Sequence, residues 1–203
     1  MSLKDSFQNL YKKMDATAKT RFYASRRLML HTKFSTYTVV IISMAIILIA
    51  LMQTYGIGEN IHTKYASVIQ IFSAIAVLVY SLLIDKNEYA ATAEKMFACA
   101  SKVSELKQRM HPLKEMDNPP EDQYSAFQKE YWQILDLYET HSNNDFTGDN
   151  IRARLDMTEF YSFSKLERAL KHIKVFRLYI FDFASYALVL GVLFWVLKWL
   201  WLG

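Results

Sequence analysis

The sequence is poor in the residues from which most catalytic and metal sites are built. A single cysteine, Cys99, excludes an intrachain disulfide and a cysteine-rich metal site, and it suits a reducing compartment. The five glycines form neither a GxGxxG nor a P-loop pattern, so no glycine-lined phosphate cradle is readable. The five histidines (His31, His62, His111, His141, His172) stand far apart, without the HExxH spacing of a zinc helix. The expectation is a protein that is not an enzyme, with no catalytic residues, metal ligands or cofactor. Cys99 falls on a helical seam and is read as a small core residue rather than a nucleophile. All three prolines (Pro112, Pro119, Pro120) fall in one short stretch, which leaves the rest of the chain free for long helices. The N-terminus lacks the continuous apolar segment and cleavage site of a signal peptide.

Two stretches lack charge altogether. Phe34–Gly58 and Tyr65–Ile84 contain no Asp, Glu, Lys or Arg. A membrane-spanning helix needs about 20 apolar residues, because each adds about 1.5 Å and the hydrocarbon core is roughly 30 Å thick. Both runs are long enough, and they are read as a transmembrane hairpin. A soluble bundle is the competing reading, but its core helices would carry charge on at least one face. The formal net charge of +4 is concentrated before the first run. Residues 1–33 hold Lys4, Lys12, Lys13, Lys19, Arg21, Arg26, Arg27 and Lys33 against Asp5 and Asp15. Lys and Arg enrich cytoplasmic flanks, which predicts a cytoplasmic N-terminus, an outward loop Glu59–Lys64 and a multi-pass protein. A nucleic-acid surface would need aromatic residues interleaved with the basic ones, and none is readable, so no direct nucleic-acid binding is expected.

Four regions follow. Residues 1–33 form a basic amphipathic helix on which Leu3, Phe7, Leu10 and Met14 recur at helical spacing, and it either packs on another helix or lies on an anionic leaflet. Residues 34–84 are the transmembrane hairpin. Residues 85–177 are a cytoplasmic helical region. Within it, Tyr89, Thr92, Met96, Cys99, Val103, Leu106 and Met110 make one coiled-coil-like seam, expected to continue from the second span. Tyr124, Phe127, Tyr131, Ile134 and Tyr138 make another, and the proline-rich turn between them predicts an antiparallel hairpin. Thr140–Asn150 reads as a loop and residues 151–177 as helix with Leu155, Phe160, Phe163, Leu166, Leu170 and Ile173 apolar. In residues 178–203, Leu178–Leu197 is apolar except for Asp182, and Trp195, Trp199 and Trp201 resemble an interfacial belt. This predicts a third, C-terminal membrane helix, with an in-plane or re-entrant helix as the rival. The fold class expected is therefore all-α membrane protein.

The polar residues inside the apolar runs are the candidate functional groups. Ser67, Gln70, Ala74, Val77 and Ser81 share one face of the second span with Ser73 and Tyr80 at its edge, and Thr36, Ser43 and Ala50 repeat in the first with Gln53 nearby. Small and polar side chains let helices approach and hydrogen-bond, or they line an aqueous path once several copies assemble. Ser43, Gln53, Gln70, Ser73 and Ser81 are thus helix-packing or pore-lining candidates, and conduction would require a homo-oligomer. Arg21, Arg26 and Arg27 are candidate contacts for a phosphate-bearing trigger, because guanidinium forks suit phosphate. Plain flank residues are the alternative.

The block RFYASRRLMLHTKFST (Arg21–Thr36) enters the hairpin, the helix DKNEYAATAEKMFACASKVSELK follows it, and YETHSNNDF (Tyr138–Phe146) comes later. This order resembles the SLATT family, bacterial two-span effector domains associated with nucleotide second-messenger defence systems. The resemblance covers roughly Leu10–Phe146, extending toward Val175. It implies an inner-membrane pore-forming or membrane-disrupting effector, encoded beside a nucleotide-generating sensor or a reverse transcriptase. Its activation would stop phage by cell death or arrest (abortive infection, an antiviral defence). The family's acidic-His-Asp/aromatic block maps onto Glu139, His141, Asp145 and Phe146. Two departures are Thr140, where Asn is expected before the histidine, and the apolar C-terminal tail beyond two spans. A non-conducting membrane scaffold, recruiting a cytoplasmic partner through its coiled-coil-like helices, is the second functional class.

Overall fold

The computed structural model describes residues 3–116, 119–138 and 146–203, and among them every regular element is helical. The helices are α1 (Leu3–Tyr55), α2 (Lys64–Asn87), α3 (Tyr89–Lys114), α4 (Glu121–Leu137), α5 (Thr147–Asp156) and α6 (Lys165–Leu202). They form two compact units. One comprises Met1–Leu28 and Ala90–Tyr179, the other Met29–Tyr89 and Ile180–Gly203, so α1 and α6 each contribute to both.

The first unit is a bundle built on the seams read from the sequence. Phe7, Leu10, Met14 and Ala18 of α1 bury against Cys99, Val103, Leu106 and Met110 of α3 and Tyr131 of α4. Fully burying one such large apolar side chain contributes about 1.5–3 kcal/mol, so these seams set the register of the bundle. Contacts along α1 fix the directions. Tyr11 meets His111, Asp15 meets Lys107 and Phe22 meets Phe97, so α3 runs antiparallel to α1. Phe7 meets Tyr124 and Thr17 meets Tyr131, so α4 runs parallel to α1. The α3–α4 pair is therefore an antiparallel hairpin, tied also by an Arg109–Glu130 ion pair.

Three local features differ from the expectation. The second span does not run on into the α3 seam, because Glu88 separates α2 from α3 with a φ of +44°. Residues 151–177 are not one helix, since Met157–Ser164 interrupts them. A reciprocal capping box restarts the chain as α6: Ser164 N–H donates to Glu167 Oε2 (2.9 Å) and Glu167 N–H to Ser164 Oγ (3.2 Å). These bonds satisfy two of the donors that a helix start leaves free. Finally, Thr147–Asn150, read as loop, is the first turn of α5, and of the apolar members beyond it Leu166, Leu170 and Ile173 are exposed.

The second unit contains the long apolar segments. Three helices, α1, α2 and α6, are long and apolar enough to cross a membrane. Their most apolar windows are only 28%, 6% and 6% buried, so most of that surface is available to lipid or another chain. The inward face of α1 is Ser35, Thr38, Ile42, Ala45, Ile49 and Met52, spaced alternately by three and four. α1 and α6 run in the same direction: His31 stacks on Phe183 near one end, and Ile49 and Met52 cluster with Val196, Leu197 and Leu200 near the other. The Gly56–Thr63 link returns the chain into α2, whose Ala66 joins that same cluster. Asn60 ties the link to the end of α6, its side-chain amide donating to the Trp199 carbonyl (3.1 Å).

Candidate functional site

The bundle unit holds a cavity of about 410 Å³ lined by Thr17, Thr20 and Arg21 of α1, Met96 of α3, Phe146, and Thr147, Asn150 and Ile151 of α5. Helical spacing explains the α1 side, because Thr17, Thr20 and Arg21 are three and four residues apart and share a face. Arg21 Nη1 donates to the Cys99 sulfur (2.9 Å) and to the Tyr138 carbonyl (3.2 Å), two neutral acceptors. Burial pushes the Cys99 thiol above its ordinary value, and the nearby Arg21 only partly offsets this, so Cys99 is a core group and not a ready nucleophile. Thr17 exchanges a hydrogen bond with the Tyr131 hydroxyl (2.8 Å), while Thr20 Oγ donates to the Ala16 carbonyl (2.7 Å).

The structure separates the three arginines that sequence spacing grouped. Arg21 lines the cavity, whereas Arg26 is exposed. Arg27 is committed elsewhere: its Nε lies 3.1 Å from Asp149 Oδ2, and the Asp149 side chain is fully buried. The Tyr179 hydroxyl donates to the other carboxylate oxygen (3.1 Å). This buried charge pair ties α1 to α5 and α6. Breaking such a pair from one side leaves an uncompensated charge and costs about 3–5 kcal/mol. Of the block mapped by resemblance, Phe146 joins Arg21 in the cavity wall. Glu139, His141 and Asp145 lie outside the described residues.

In the apolar unit the candidate face of α2 is rotated from the one the sequence suggested. Ile69, Gln70, Ser73, Val77 and Tyr80 are half-buried, whereas Ser67, Ala74 and Ser81 are exposed. Ser43 and Gln53 of α1 are half-buried, and Ser43 Oγ donates to its own helix at the Val39 carbonyl (2.8 Å). Gln70 has no hydrogen-bond partner among the described residues, although it stands about 9 Å along α2 from its first residue.

Sequence reading missed two groupings. Tyr186 accepts or donates bonds to Ser35 Oγ (2.9 Å) and His31 Nδ1 (3.2 Å), and the His31 ring stacks on Phe183 with centroids 4.4 Å apart. A linear reading scored Tyr186 as one more apolar residue, and only the parallel course of α1 and α6 brings it to His31. Asp149 was likewise read as a turn residue. Its position two residues into α5 was the available signal, since acids favour a helix's first turn. No group of three or more His, Cys, Asp or Glu able to hold a metal occurs among the described residues.

Neither the curated proteins nor the solved structures contain a match to this chain. The family model described as SMODS and SLOG-associating 2TM effector domain family 5 matches residues 3–198. That span takes in the bundle unit from Leu3 onward and most of α6, so the apolar C-terminal helix lies within the family's extent instead of beyond it, although the family's description counts two membrane spans. The chain belongs to the SMODS and SLOG-associating 2TM effector domain family 5, the SLATT group that its hairpin and flanking blocks resemble.

Proposed function

We propose that this protein is a self-associating membrane effector that permeabilises or depolarises the bacterial inner membrane when a cytoplasmic trigger reaches its bundle unit. Family membership supports the general role of a membrane effector in conflict systems. The observation that carries the finer reading is Gln70. A primary amide inside an apolar helix, with no partner among the described residues, is costly in hydrocarbon, where water cannot satisfy it. It is satisfied by the same face of another copy or by water in a path that several copies enclose. Ser73 lies on that face one turn along. The trigger is a ligand or partner that binds one arrangement of the bundle unit better than the other and so shifts the population. A nucleotide second messenger, a co-encoded sensor or a reverse transcriptase are the triggers that the family resemblance suggests.

The test is expression in a bacterium alone and then with its neighbouring genes under phage challenge, followed with a membrane-potential dye and propidium uptake. Depolarisation that disappears in Gln70→Leu/Ser73→Ala at equal membrane expression is the expected result. A steady potential in both settings, with the protein inserted, would sink the pore and leave a non-conducting scaffold.

A further inference from the structure

We propose that the Arg21 cavity is a binding site for a small organic phosphate. The phosphoryl group would engage the Arg21 guanidinium, the Thr17 hydroxyl and the Asn150 amide, whose Nδ2 carries a second hydrogen besides the one directed at Thr20 Oγ. The apolar part of the ligand would lie against Phe146, Met96 and Ile151. Charge is the first argument. Arg27 and Lys107, two other partly buried cations of the bundle, each meet a carboxylate, Asp149 and Asp15 respectively. Arg21 meets only a thiol and a carbonyl among the described residues, and the buried thiol stays protonated. Its positive charge is therefore not neutralised by any described side chain, and both contacts use Nη1, leaving the rest of the fork free to donate. Space is the second argument. About 410 Å³ falls within the range of roughly 300–1,000 Å³ typical of small-molecule sites. Composition is the third: one cation, short hydroxyl and amide donors and one aromatic residue are the complement of a phosphate monoester carrying a flat apolar group.

This inference deepens the trigger half of the proposed function and rests on it for its consequence, but binding is read without any membrane current. The full chain in neutral detergent is titrated calorimetrically with inorganic phosphate, phenyl phosphate, AMP and uncharged benzyl alcohol. Phenyl phosphate or AMP should bind about 10-fold or more tightly than either fragment, the difference one charge-assisted contact supplies. Arg21→Gln should remove that preference. Because Arg21 also bonds Tyr138 and Cys99, Asn150→Ala is the second variant, expected to weaken binding while keeping those bonds. Arg26→Gln, at an exposed position, should change nothing. Phosphatidylglycerol added to the micelles distinguishes sources: competition with AMP identifies a lipid headgroup as the ligand, and no competition a soluble one. Absence of binding by folded wild-type protein at millimolar probe, or Arg21→Gln and Asn150→Ala both binding like wild type, would overturn the site. Binding without triggered depolarisation would overturn the pore alone, and triggered depolarisation without binding would overturn the site alone.

Discussion

At the residue scale, the bundle unit is held by charges placed where a sequence reading sees only a flank. Asp15 is nearly buried between Lys107 Nζ (2.6 Å) and Lys19 Nζ (2.9 Å). Burial alone would push its carboxyl up. Hydrogen bonds and charge from Lys107 and Lys19 together outweigh that and hold it below its ordinary value of 3.8. The folded state therefore binds its proton less readily than the unfolded chain. The resulting stabilisation is complete above the ordinary value and is lost as pH falls through the lowered one. Asp15→Asn is predicted to melt at a lower temperature than wild type at neutral pH, with the gap narrowing once the pH drops below about 4. Thermal melts of both proteins in one detergent across pH 2–7 check this, and a gap that stays constant over that range would contradict it.

At the element scale, glycine decides how the link between α1 and α2 meets α6. Gly58 has a φ of +108°, and a Cβ there would sit 2.6 Å from the Leu200 carbonyl oxygen, a backbone atom that cannot step aside. Gly56 has a φ of +65°, but its Cβ would meet only the tip of His62 at 3.4 Å. Gly56→Ala should cost about 1 kcal/mol from its left-handed backbone alone. Gly58→Ala adds a collision and should cost more, loosening the Asn60–Trp199 contact. Melting temperatures, with hydrogen exchange at the end of α6, read the order, and equal effects of the two variants would refute it. The same scale shows what the sequence could reveal. Phe7, Leu10 and Met14 recur at helical spacing, as do Cys99, Val103, Leu106 and Met110, and period alone suffices to find such seams. The breaks at Glu88 and Met157–Ser164 contain neither glycine nor proline, so no local breaker marks them. Of the site, the sequence offered Arg21, Arg26 and Arg27 together as phosphate-contact candidates, and their separation, with Arg21 alone in the cavity wall, was not legible. Adjacent helix positions differ by about 100° of rotation, and only the packed partners decide which turn inward.

At the scale of the whole molecule, the parallel course of α1 and α6 has a topological consequence. α1 leads from the bundle unit to the Gly56–Thr63 link, α2 returns, and α6 follows α1 until Leu200 and Gly203 lie beside Gly58 and Glu59. If α6 crosses the bilayer as its length and composition allow, Gly203 emerges on the side of Glu59, opposite Gln8. The lone cysteine makes the test direct, since Cys99 is buried and a Cys99→Ala background carries no reactive thiol. In that background, Glu59→Cys and Gly203→Cys are predicted to react equally with a membrane-impermeant maleimide in intact spheroplasts. Gln8→Cys is predicted to react only after permeabilisation. Gly203→Cys reacting in step with Gln8→Cys would return the protein to two spans, and its C-terminal helix would then have to lie on the membrane instead of through it.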